Sequence, residues 1–198
     1  QASARTLDTL RYGCESAAIT LRSSLTDLQL AGTARAFGLF SAPSLALEVA
    51  PAAEDPIAAG TLDAWFQAPE KTNVSPLQMA LVAATITNNG NQPSPKLANS
   101  YQDENGNWVA FGQSTTQQKV LDSAVAFRIQ ERFKAEKQAI WYQIGHANTA
   151  NGEPLTWYIG GTTPAWTGTP LAIAIAIEGS QPALALQIGS ALLNPAAP

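Results

Sequence analysis

Apolar residues recur at helical spacing in five stretches and at strand spacing in a sixth region. Near the N-terminus, Leu7, Leu10 and Tyr12 make a short first piece. Ser16 to Leu25 and Thr26 to Phe37 then read as helices. In the second, Leu28, Ala31, Arg35 and Gly38 share one edge, and Leu30, Ala34 and Phe37 another. Gly32 weakens it by about 1 kcal/mol relative to alanine, and Gly38 fits a C-terminal cap. Ser41 to Gly60 is broken by Pro43, Pro51 and Pro56 and reads as an irregular excursion. Ser75 to Asn88 is the clearest helix. Ser75 is its N-cap, Pro76 takes the first position and Gln78 the capping-box position. It carries two apolar stripes, so it is expected to be buried on most sides. Asn88-Asn89-Gly90 ends it. Asp103 to Asn107 predicts a tight hairpin turn. Asp122 caps a helix predicted to run to Gln138.

The C-terminal third changes period. Ala139 to Thr149, Leu155 to Thr163 and Leu171 to Glu178 read as three antiparallel neighbours with short connections. The last alternates Leu171, Ile173, Ile175, Ile177 with Ala172, Ala174, Ala176 and has no polar face, so both sides are covered. The small alanine face would admit a helix closely, and Pro182 to Leu193 is the candidate cover. Helices, a three-stranded meander and a closing helix give an α+β class: an antiparallel sheet sandwiched between helices, residues 1–198 forming one domain.

Composition narrows the function. The 198 residues are 45% apolar but only 13% charged, and carry a net charge of -4. That supports a core and argues against disorder. The 11 basic residues are scattered, so no nucleic-acid partner is expected. No run approaches the ~20 apolar residues of a membrane span. One histidine and one cysteine leave no internal disulfide and no metal site, and no cofactor is expected.

Several segments resemble, in order, the transpeptidase domain of penicillin-binding proteins. Val74-Ser75-Pro76-Leu77-Gln78-Met79-Ala80, with Asn88-Asn89-Gly90 behind it and Pro93 and Pro95 further on, is similar to a family helix opening Ser/Thr-Pro-Leu-Gln. Gln67 resembles the glutamine of the family's Gly-Gln-Gly lead-in, without its glycines. Trp157 to Pro164 is similar to the family's Ala-Trp-Phe-Val-Gly-Tyr-Thr-Pro strand. Leu10 to Ala18 resembles the stretch around Ser-Cys-Asn, and Arg35 to Leu39 the Phe-Gly that follows. The resemblance implies the penicillin-recognising fold, in part: the C-terminal portion of a longer protein, after the nucleophile segment. The sheet would then expose an edge, to be covered by a partner copy or by the N-terminus.

Family chemistry needs Ser-x-x-Lys, Ser-x-Asn and Lys-Thr-Gly. No Ser-x-x-Lys exists in this chain. The second motif aligns to Gly13-Cys14-Glu15, where Gly13 lacks a hydroxyl and Glu15 is an acceptor-only anion. The third aligns to His146-Ala147-Asn148. His146 is cationic only at lower pH, Ala147 lacks the hydroxyl, and Asn148 adds bulk; Thr149 and Ala150 match. The resemblance therefore implies that Gly13, Glu15, His146, Ala147, Asn148 and Thr149 form a vestigial groove with no catalytic residue.

The resemblance implies a peptidoglycan-associated, extracytoplasmic protein with an anchor outside this chain. Its role would be binding or scaffolding, with peptidoglycan peptides, cell-wall synthesis proteins or a second copy as partners. The alternatives are the C-terminal piece of an active D,D-transpeptidase or carboxypeptidase, and a sensor of muropeptides or β-lactams. Plainer readings stand beside these. His146 can be an ordinary strand residue, Glu15 a helix-start acid, and Cys14 a buried small hydrophobe. Trp141, Trp157 and Trp166 read as packing, and Glu54, Asp55 and Asp63 as solvated loop charge.

Overall fold

The computed structural model describes residues 9–45, 49, 52–67, 72–111, 117–149 and 151–194. Leu7 lies outside the described residues, as do the side chains of Glu15 and Gln67. The elements are α1 (Glu15–Arg22), α2 (Asp27–Ala36), α3 (Pro56–Ala59), α4 (Leu62–Gln67), α5 (Pro76–Thr87), β1 (Asn91–Gln92), β2 (Ser100–Gln102), β3 (Trp108–Ala110), β4 (Gln118–Lys119), α6 (Ser123–Phe133), β5 (Ile140–Asn148), β6 (Pro154–Thr162), β7 (Ala172–Glu178) and α7 (Pro182–Leu193).

β5, β6 and β7 form the antiparallel meander in that order, from Ile140 opposite Thr162 to Asn148 opposite Pro154, and from Leu155 opposite Glu178 to Gly161 opposite Ala172. On one face, Ile140, Tyr142, Ile144 and Tyr158 are buried with Ala185 and Leu193 of α7, and Ile173, Ile175 and Ile177 pack against them. Tyr142 and Tyr158 stack with ring centroids 5.6 Å apart. Burial, then the neighbouring Tyr12, pushes the Tyr142 phenol up to about 12. Tyr158 rises further for the same first reason. On the other face, Trp141 is buried with Ala83 and Ile86 of α5, and Ile129, Phe133, Ile159 and Ala172 pack around them. The cover of the alanine side of β7 is therefore α5, and the C-terminal helix covers the isoleucine side. The register decides this, because odd residues of β7 share a face with Tyr158. The outer edge of β7 has no partner strand among the described residues.

α5 is capped as its sequence predicts. The Ser75 hydroxyl accepts from Gln78 N–H, and the Gln78 carbonyl oxygen accepts from Ser75 N–H. Gln78 is 3% exposed, and its amide nitrogen also donates to the carbonyls of Leu39 (2.9 Å), Ser41 (3.1 Å) and Gly38 (3.4 Å). One side chain thus fixes both the helix start and the chain after α2. Asn89 and Gly90 take the left-handed conformation at the other end. A Cβ on Gly90 would collide with the Leu121 carbonyl.

Three further expectations change. α6 stops at Phe133, because Lys134 turns to extended backbone and bridges to Trp141. Asp122 holds the N-cap position but pairs with Lys119 at 2.9 Å instead of capping with its side chain. Asp55 is not solvated loop charge: it caps α3 and receives the Arg35 guanidinium at 2.6 Å. Arg35 and the backbone N–H groups of Ile57 and Ala58 hold its carboxyl below the usual range.

Candidate functional site

The chain before α1 is pinned against the outer edge of β5. Arg11 donates to the Arg132 carbonyl at 2.9 Å and its guanidinium lies 5.8 Å from the Tyr142 ring centroid. Tyr12 meets Tyr142 edge-on at 6.4 Å and forms a parallel bridge with Ile144. Gly13 then turns with φ +74, a left-handed conformation that glycine adopts without cost. Cys14 follows as the N-cap of α1.

This turn and the distal half of β5 enclose a groove of about 440 Å³. Its lining includes Gly13, Cys14, Gly145, His146, Ala147 and Asn148. The groove gathers four of the six residues the sequence placed there. Thr149 is not among its lining residues: its hydroxyl accepts from Glu153 N–H at 3.1 Å and its own N–H donates to the Glu153 carbonyl, which builds the β5–β6 turn. Glu15 opens α1 in the backbone.

Gly13 and His146 are in contact. A Cβ built on Gly13 would sit 2.9 Å from His146 Cδ2 and 3.0 Å from Nε2. The imidazole, with the Ile144 carbonyl at 3.1 Å, therefore occupies the space that a side chain at position 13 would need. Positions 13 and 146 therefore share one local space. Spacing carries no sign of it between residues 133 positions apart; only the resemblance put both in one groove. Cys14 is also not the buried hydrophobe expected. It is half-buried on the groove wall with Sγ 3.2 Å from Ser16 Oγ. That contact, then the Ala17 N–H, holds its thiol below its ordinary value. The tryptophans do pack: Trp141 donates to Thr87 Oγ1 at 3.1 Å and Trp166 to the Thr169 carbonyl at 3.0 Å.

β5 is an end strand of its sheet. Its outer edge bridges to Lys134 at Trp141 and to Tyr12 at Ile144. From Gly145 to Asn148 no further strand or bridge pairs with it among the described residues, and the side chains of His146, Ala147 and Asn148 are exposed there. Such an edge can add an extended peptide by backbone hydrogen bonds. No group of three or more acidic, histidine or cysteine side chains among the described residues could hold a metal ion.

Among solved structures, penicillin-binding protein A from M. tuberculosis, as its imipenem acyl-enzyme complex, superposes with a TM-score of 0.67 at 27% identity. It is matched over 84% of this chain and 41% of its own length. The D,D-transpeptidase domain of a peptidoglycan glycosyltransferase from Eggerthella lenta gives 0.63 at 18% identity, over 96% and 51%.

The fold is that of the penicillin-binding protein transpeptidase domain.

A peptidoglycan synthetase from Bifidobacterium adolescentis shares this fold, with a TM-score of 0.64 at 16% identity over 90% of this chain and 37% of the other. The chain thus spans about half or less of the length of these transpeptidase structures. No family model and no curated protein matches it. No helix among the described residues is long and apolar enough to cross a membrane.

Proposed function

We propose that this transpeptidase-like domain serves peptidoglycan synthesis outside the cytoplasm of a bacterium by binding a stem peptide without acyl transfer. The supporting observation is the Gly13–His146 contact. At the positions matching Ser-x-Asn and Lys-Thr-Gly, the groove holds an imidazole against a glycine, with Ala147 beside it. Acyl transfer needs an activated nucleophile and groups placed for the developing charge. Residues 1–198 contain no Ser-x-x-Lys, and the groove offers no hydroxyl at 13 or 147. What remains is recognition: an extended peptide adds to β5 beyond Ile144 and lies under His146. A fluorescent penicillin tests the loss of acylation, and thermal shift with a muropeptide tests binding, since a ligand of the folded state alone raises its stability. Covalent labelling of a serine within these residues, or no shift far above a plausible Kd, refutes the reading. A shift with β-lactams as well as muropeptides would make the domain a sensor.

One observation favours a second reading. The chain spans 41% of a structure that forms an acyl-enzyme, so a nucleophile carried by residues outside 1–198 would meet this groove. Penicillin labelling of a longer polypeptide at such a serine would establish an active transpeptidase.

A further inference from the structure

The hairpin β2–β3 carries aromatic residues that pack into neither core cluster. Trp108 is 72% exposed, Tyr101 47% and Phe111 46%. Tyr101 lies opposite Val109, and Phe111 N–H donates to the Asn99 carbonyl, so Tyr101, Val109 and Phe111 share one face. The Tyr101 and Phe111 rings sit 5.2 Å apart. Trp108, opposite Gln102, stands on the other face.

An isolated two-stranded hairpin is marginal in water, yet this one is braced at its turn. The Asp103 carboxylate accepts from Asn105 N–H at 2.9 Å, Asn107 N–H at 2.8 Å and the Asn107 side-chain amide. Those bonds, the Asn107 N–H first, hold its carboxyl below the usual range. Gln102 donates across to the Gly106 carbonyl at 2.9 Å. A rigid support holding large aromatic faces in water is the arrangement of a recognition surface.

We propose that this hairpin binds a polysaccharide of N-acetylated pyranose rings, the glycan strand of peptidoglycan. The naming of that glycan rests on the function proposed above; the sugar chemistry rests on the hairpin. Flat π faces on both sides match the C–H faces of pyranose rings. The neighbouring polar side chains are amides, groups that both donate and accept, as hydroxyl and acetamido groups require: Asn99 and Asn105, with Gln102 and Asn107, whose nitrogens already donate within the hairpin and whose oxygens can accept. From Leu97 to Phe111 the only charges are Asp103 and Glu104. No cation lies within those residues to read an anionic ligand; Lys96 precedes them, outside the two strands and their turn. Two acids at the tip oppose insertion into an anionic bilayer.

The test is titration of the 198-residue chain with a soluble N-acetylglucosamine hexamer, followed by amide NMR shifts, together with Trp108→Ala and Tyr101→Ala. Shifts centred on residues 99–111 are expected, and each variant should weaken binding about tenfold, one aromatic contact's 1.4 kcal/mol. The hairpin touches neither core cluster, so both variants should keep the wild-type Tm and the wild-type response to a muropeptide peptide. No peptide response in the wild-type chain, with the hexamer shifts retained, would count against the groove reading and leave this one standing. No hexamer shifts up to the solubility limit, or equal affinity in Trp108→Ala, overturns the proposal. So does Trp108-dependent sedimentation with anionic vesicles, or Trp108-dependent capture of a protein, without glycan binding.

Discussion

Gly13→Ala, measured with and without His146→Ala, tests the geometry on which the groove reading stands. At φ +74 a residue with a Cβ costs about 1–2 kcal/mol. The new methyl also lands 2.9 Å from the His146 ring. That ring is exposed and can rotate away, at the roughly 0.5–1.5 kcal/mol of leaving its rotamer. Gly13→Ala should therefore destabilise by about 1.5–3.5 kcal/mol in the native background and by about 1–2 kcal/mol in His146→Ala. The difference, a coupling of about 1 kcal/mol, lies above the additivity error of about 0.3–0.5 kcal/mol. Urea unfolding followed by circular dichroism reads it, and for a chain of this length each kcal/mol also moves Tm by about 2–4 °C. Equal losses in both backgrounds would show that the imidazole does not occupy the space over position 13. A neutral Gly13→Ala would refute the left-handed turn itself. The same reasoning makes Gly13→Ser less costly beside a change at His146 than alone.

Gln78→Met keeps the volume but strips four hydrogen bonds from a part-buried junction, and should cost about 2–4 kcal/mol in urea unfolding at the low end of orphaned-group penalties. Asp55→Asn keeps the α3 cap and removes the charge facing Arg35. Because the folded Asp55 value is depressed, its stabilisation is present above the unfolded carboxylate value of about 3.9 and is lost as pH falls further. The Tm gap between wild type and Asp55→Asn should thus hold from pH 7 to about 4 and close below it, and a constant gap down to pH 2 would exclude the ion pair as its source. Gly189→Ala drives a methyl into the ring of Tyr158, which is 0% exposed. It should cost about 1–3 kcal/mol or more, and an unchanged Tm would mean that α7 does not sit on Tyr158.

Element types were largely legible along the chain, for reasons that differ by element. α5 announces itself through Ser75, Pro76 and Gln78, since capping is local chemistry between neighbours. The meander is legible because its strands are joined by short turns. The side covered by each helix is not local. Both faces of β7 are apolar, so nothing in residues 171–178 says whether α5 or α7 meets the alanines; the register with Tyr158 decides it. Asp55 was misread for the same reason, its partner Arg35 lying 20 positions away. At the groove, the resemblance brought together Gly13, His146, Ala147 and Asn148. It could not show the imidazole resting over Gly13, because that depends on a backbone angle and a rotamer. Thr149 matched the family letter but serves the turn.

The outer edge of β7 sets how this molecule behaves in company. It is unpaired among the described residues, and from residue 172 to 177 it presents alternating alanine and isoleucine, with no charge before Glu178 and no proline, devices by which sheets discourage a neighbour. Two copies colliding there can lengthen a sheet instead of separating. Association is then second order in protein while refolding is first order, so concentration, more than temperature, selects between the dissolved chain and its aggregate. The side chain of Ala176 is exposed on this strand. A gatekeeper charge at that one position would raise the threshold without entering either core.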